Sequence, residues 1–194
     1  MIIQIFNTLN SETINHSKKV AIITEILVKY ANENSKIFKN YAFTSPEVAY
    51  ECGLWHDVGK ADKGVLSAIS ANRALTPDER VLVNQHPALA LAFIDSFYTG
   101  KNKEIVMEVA LLHHRKADNT GTPDIPVPKS LPVLVQLVSI ADCFEALSAK
   151  RSYKNSMSYE EAKAKVFNGL CGYFTPQFKF IFDKAFDEIV GALS

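Results

Sequence analysis

The chain has 194 residues, 47% of them apolar, enough to bury one full core without disulfides or a structural metal. Its 21 acidic and 21 basic side chains cancel, which removes any bulk pull toward a nucleic acid polymer or a membrane surface, so an anion site has to be built locally. Three scattered cysteines, Cys52, Cys143 and Cys171, show no Cys-x-x-Cys spacing, which argues against a disulfide framework and for a reducing cytoplasm.

The opening MIIQIFNTLNSE has neither the basic lead nor the apolar run of a signal peptide. Val20, Ile23, Leu27 and Tyr30 then recur at helical spacing and predict a helix over 11–33. Ser45-Pro46-Glu47 supplies an N-cap, a proline at the first helical position and an acid in the first turn, opening a helix over 46–57. Thr76-Pro77-Asp78-Glu79 adds a capping box and opens a helix over 77–97, bent at Pro87. A helix over 104–114 leads into an irregular stretch, 115–130, with Gly121, Pro123, Pro126 and Pro128; loops of that length are commonly functional flaps. The next helix, 131–149, is the most apolar, but Gln136, Asp142 and Glu145 interrupt it, so no segment reaches the roughly 18 unbroken apolar residues of a membrane span. Ser158 and Glu161 form a capping box for 159–170, and Thr175-Pro176 opens 176–192, whose stripe is Phe178, Ile181, Phe182, Ala185, Ile189 and Val190. Gly59, Gly100 and Gly172 fall where helices should stop. The apolar periods are helical and none alternates, so the expectation is an all-α bundle of about seven helices. Residues 1–194 read as a single domain, with the helices from about 159 packing on it.

Each of the five histidines sits beside a helix feature. His16 follows Glu12 by one turn on the face that continues into Val20, Ile23 and Leu27, so the pair is expected to point inward, as a buried ion pair or as metal ligands. His56-Asp57 follows the apolar Gly53-Leu54-Trp55, and Lys60 stands about one turn on, within reach of an anion. His86 precedes Pro87, where a capping or core role is the ordinary alternative. His113-His114 ends an apolar helix; adjacent helical residues diverge by about 100°, enough to serve two neighbouring metals. Asp142, between Ile140-Ala141 and Cys143-Phe144, needs a cation nearby. Five histidines and three inward acids cannot readily satisfy one another, whereas divalent cations would satisfy them all.

The order of these residues, with HDVGK at 56–60, LTPDERVLVNQHP at 75–87, HHRKADNTGTP at 113–123 and IADCFEALSAKRSYK at 140–154, resembles the HD-domain metal-dependent phosphohydrolases, and within them the HD-GYP subfamily of cyclic di-GMP phosphodiesterases. The resemblance runs from about Glu12 to Ala162. It implies that Glu12, His16, His56, Asp57, His86, His113, His114 and Asp142 are metal ligands, with Asp57 bridging two ions. It further implies that Lys60 contacts phosphate, that Asp118 supports that lysine, and that Arg151 and Lys154 lie near substrate phosphates. Where the subfamily usually has Glu, Gly and Tyr, this chain has Arg115, Asn119 and Thr122, so its naming motif is degenerate.

The function so implied is hydrolysis of a cyclic dinucleotide, cyclic di-GMP first, by a metal-bridging hydroxide, with Asp57 and Lys60 carrying the chemistry. Two divalent transition-metal ions are implied, or three if Glu12 serves a further position. Iron or manganese suits the mixed nitrogen and oxygen set, with zinc or nickel as alternatives. Rival readings are an HD nucleotidase or other phosphohydrolase, and a non-catalytic nucleotide-binding or signalling module. The partners expected are the phosphoester substrate and a second copy or a signalling protein.

Overall fold

The computed structural model describes residues 5–39, 41–71, 73–116, 118, 120–125, 131–149 and 157–194. Among them the regular elements are helical, and the one β-type pairing is an isolated antiparallel bridge between Arg115 and Gly121. In chain order the α-helices are α1 (Ser11–Glu33), α2 (Pro46–Trp55), α3 (Lys63–Ile69), α4 (Pro77–Val83), α5 (His86–Phe97), α6 (Lys103–Leu112), α7 (Val133–Ser148), α8 (Tyr159–Phe167) and α9 (Pro176–Leu193). Short 3-10 turns cover Ser35–Ile37 and Val58–Ala61.

α1 is the central post. It packs against α2, α7 and α9, and α5 lies across both α6 and the turn at 58–61. Its stripe of Val20, Ile23 and Leu27 is fully buried, as are Trp55, Val138, Ile140, Phe144 and Phe182 from its neighbours. Phe6 and Tyr98 meet the Trp55 ring edge-on, with centroids 5.2 and 5.4 Å away. Phe182 meets Phe144 in the same way at 5.0 Å, which ties α9 to α7. Among the described residues no helix is long and apolar enough to cross a membrane.

Two glycines set how closely these layers meet. A Cβ on Gly53 would stand 2.6 Å from the Ala21 Cα, so α2 rests directly on the α1 backbone. A Cβ on Gly59 would stand 1.9 Å from the His86 carbonyl oxygen, so the 58–61 turn lies against the start of α5.

The expected N-caps are in place: Ser45 accepts from Val48 N, and Thr76 with Glu79 and Ser158 with Glu161 close full capping boxes. The helix over 46–57 stops at Trp55 and the one over 104–114 at Leu112, each ending at a histidine. The segment expected as one bent helix over 77–97 is two helices, separated at Asn84 and Gln85. Pro87 has no amide to donate to Val83, so α4 ends there and the proline takes a first-turn position in α5, where no amide is required. α3 was not expected. Asp62 caps it through Gly64 N and Val65 N, but it buries only Val65 and Ala68, too little for a readable period.

Candidate metal centre

Asp57 occupies the middle of a buried cluster, its side chain 1% exposed. Oδ1 faces His86 Nε2 at 3.1 Å and His113 Nε2 at 3.9 Å. Oδ2 faces His16 Nε2 and His56 Nε2, each at 3.4 Å, and accepts from Lys60 Nζ at 2.5 Å. On the Oδ2 side Asp142 Oδ1 approaches His16 Nε2 at 3.0 Å and His56 Nε2 at 3.9 Å. His114 Nδ1 stands 3.9 Å from Asp142 Oδ2, and its ring lies 4.1 Å from that of His113. Ligand atoms therefore gather into groups that could each hold an ion: His16, His56 and Asp142 on one side, His86, His113 and His114 on the other, with Asp57 between them.

Helix ends place these rings. His56 and His113 are the residues on which α2 and α6 terminate, and each turns Nδ1 back to a carbonyl left unpaired by the end of the helix. His56 donates to Gly53 O at 2.7 Å and His113 to Ala110 O at 2.8 Å. His86 does the same across the α4–α5 break, donating to Val83 O at 2.7 Å, the carbonyl that Pro87 cannot occupy. Since a carbonyl only accepts, each ring carries its proton on Nδ1 and presents Nε2 inward. The negative ends of α2, α4 and α6 thus converge on the cluster, which favours cations there.

Charge in the cluster is unbalanced. Burial works against protonating His16, but hydrogen bonds to Asp142 and Glu145 and the nearby carboxylate charges outweigh it and raise the ring to about 9. Burial likewise opposes ionising Asp57 and Asp142, yet Lys60 and His56 hold the first, and His16 the second, well below the ordinary carboxylate range. Burial, with the neighbouring histidines, keeps His113 neutral, and burial lowers His114 to about 4. His113 and His114 are thereby in the neutral form, and Asp57 and Asp142 in the ionised form, that bind metal. His56 Nε2 and Asp57 Oδ1 are buried with no hydrogen-bond partner. His86 Nε2 and His113 Nε2 stand 3.3 Å apart although both rings already donate through Nδ1. Two facing lone pairs, an orphaned imidazole nitrogen and an orphaned carboxylate oxygen fit divalent cations.

A family model described as HD domain matches residues 6–167. The chain belongs to the HD-domain family. It is 33% identical over 135 residues, 67% of its length, to a protein named cyclic di-GMP phosphodiesterase from Vibrio cholerae. It is 26% identical over 166 residues, 83% of its length, to a protein of the same name from Thermotoga maritima. It is also 26% identical over 182 residues, 92% of its length, to the 3'3'-cGAMP-specific phosphodiesterase 2 of V. cholerae. The chain spans 27%, 42% and 32% of those relatives. In fold it is similar to the HD domain of the L. monocytogenes phosphodiesterase PgpH, with a TM-score of 0.66 at 14% identity, covering 98% of this chain and 99% of that one.

Of the residues singled out in the sequence, this HD domain brings together His16, His56, Asp57, Lys60, His86, His113, His114 and Asp142. Glu12 departs from expectation. It is exposed while His16 is buried, so the two do not share an inward face, although both line the cavities beside the cluster. Among the described residues no hydrogen bond or ion pair joins Asp118 to Lys60; Asp118 Oδ1 accepts from Thr120 N at 3.0 Å and Thr120 Oγ1 at 2.7 Å, which lowers its pKa. Arg151 and Lys154 lie outside the described residues. Arg115, at the first altered loop position, is buried and donates from a guanidinium nitrogen to Gly121 O at 2.9 Å, closing the loop on itself.

One site residue escaped the sequence reading. Glu145 is 3% exposed and its Oε2 stands 2.5 Å from His16 Nδ1. The signal was present, an acid one turn after Asp142 in the most apolar helix, but it counted there only as an interruption of that helix.

Proposed function

We propose that this HD domain is a metal-dependent phosphodiesterase whose substrate is a cyclic dinucleotide, cyclic di-GMP first. The observation that carries the reading is the division of Asp57, one oxygen toward each histidine group. Two ions sharing Asp57 would be held by His16, His56 and Asp142 on one side and by His86, His113 and His114 on the other. Bound there, such ions polarise a phosphoryl oxygen and make an activated water available near neutral pH. The mixed imidazole and carboxylate set suits iron or manganese.

The chain's own groups account for the remainder. Lys60, held by Asp57 Oδ2, also lines a cavity of about 190 Å³ with Glu12 and His16, where its charge can meet a phosphate as negative charge grows in the transition state. A second cavity, about 460 Å³, is also lined by Glu12 and His16 and adds Asn15, Lys18 and Lys19. The relatives named for cyclic di-GMP and for 3'3'-cGAMP, and the c-di-AMP complex of the PgpH HD domain, support the cyclic dinucleotide class.

The test is turnover of cyclic di-GMP, 3'3'-cGAMP and c-di-AMP by protein loaded with manganese or ferrous iron, beside a chromogenic phosphodiester. Cleavage of at least one cyclic dinucleotide, lost with a chelator and reduced about 100-fold or more in Lys60→Ala, is expected. Binding without turnover under every metal would favour the non-catalytic module.

A further inference from the structure

Among the buried histidines, His16 is held differently. His56, His86 and His113 rest on main-chain carbonyls three residues back, whereas Nδ1 of His16 rests on a carboxylate from another helix, Glu145 Oε2 at 2.5 Å. The opposite edge of the ring, Nε2, points to Asp142 Oδ1 at 3.0 Å and Asp57 Oδ2 at 3.4 Å. Glu145 therefore lies behind the ring and cannot share an ion that Nε2 faces. Its other oxygen, Oε1, stands 4.0 Å from Lys19 Nζ, at the wall of the larger cavity.

We propose that Glu145 is a positioning residue for one half of the centre, aiming His16 and strengthening it as a donor, so that the ion on the His16 side depends on it while the ion on the His86 side does not. The proposal rests on the metal-centre reading above. A carboxylate accepting the Nδ1 proton makes Nε2 a better donor than a carbonyl does, and loss of such a partner typically weakens metal binding about 10–100-fold. The carbonyls behind the other three rings cannot be removed by substitution, so Glu145 is the point at which side-chain chemistry sets the two halves apart.

The experiment is a chelator-competition titration of manganese into metal-free wild type, Glu145→Gln, Glu145→Ala and His86→Ala, with the melting temperature of each metal-free protein measured alongside. The glutamine keeps the shape and an accepting oxygen but removes the charge, which guards against a variant that simply fails to fold. One of the two ions should weaken about 10–100-fold in Glu145→Ala and by a smaller factor in Glu145→Gln, the other keeping its wild-type affinity. In a His86→Ala background, where only the His16 half is intact, adding Glu145→Gln should weaken the remaining ion. Equal weakening of both ions in Glu145→Gln, or unchanged affinity in both variants, overturns the proposal while leaving the metal centre standing. Wild type that takes up no ion overturns the metal reading itself.

Discussion

His86 and His113 point Nε2 at each other across 3.3 Å, and Asp57 Oδ1 completes the triangle at 3.1 and 3.9 Å. With both Nδ1 protons committed to carbonyls, this contact is repulsive unless something positive lies between the rings. Removing the shared carboxylate should therefore cost both sides of the centre. Asp57→Ala is expected to retain well under half of the wild-type metal by elemental analysis, and it leaves Lys60 without its partner. Wild type should melt higher with manganese than with chelator; an ion at 100 times its dissociation constant stabilises by about 2.7 kcal/mol. Full occupancy in Asp57→Ala would refute the bridging role.

A second prediction concerns Gly59. Any Cβ there strikes the His86 carbonyl oxygen and, at 2.7 Å, the Ala90 amide nitrogen, both backbone atoms that cannot swing aside. Gly59→Ala should cost about 3 kcal/mol in denaturant melts and loosen the His86 side of the centre. Gly191 is the control: nothing lies within 4 Å of its Cβ position in α9, so Gly191→Ala should be neutral or stabilising by up to about 1 kcal/mol.

Glu12 stands at the junction of the two cavities rather than inside the buried cluster. With cyclic di-GMP as the proposed substrate, we expect Glu12→Ala to keep ring opening and to accumulate the linear dinucleotide, because the resemblance to the HD-GYP subfamily implies that Glu12 serves a further metal position used in the second cleavage. Chromatography of a time course decides it; equal loss of both steps would place Glu12 with the core ligands.

The pH dependence of α4 follows from Glu79. The Arg73 guanidinium and the Thr76 amide pull its carboxyl from the ordinary 4.5 to about 2. A lowered folded value means that the cap's contribution is complete above about pH 4.5 and disappears as pH falls through about 2. The melting difference between wild type and Glu79→Gln should be largest above pH 5 and shrink steadily below pH 4. A difference independent of pH would show that the charge on Glu79 contributes nothing.

The bundle was legible because capping boxes and apolar periods are local. Ser45, Thr76 and Ser158 name their helices without reference to anything distant. The histidine cluster was legible for a different reason: an acid such as Asp142 inside an apolar helix has few ways to be satisfied. Long-range pairing was not legible. Glu145 meets His16 across 129 positions of chain, and no periodicity reports that contact. The inward face at the start of α1 runs through Thr13, His16, Ser17 and Val20, so Glu12, at the edge of that face, is exposed although it stands one turn before His16.

The histidines that close α2 and α6 also make the centre sensitive to counting. Each Nε2 points where it does because its ring leaves the helix at a fixed step from the packed face behind it. Substitutions on the outer faces of these helices leave that step alone. Inserting or deleting one residue between Ala49 and His56, or between Val106 and His113, turns the terminal ring by about 100° relative to its buried face. Sequence drift in this domain is thus tolerated by letter but not by length, and helix length in α2 and α6 is as much a part of the binding site as the imidazoles themselves.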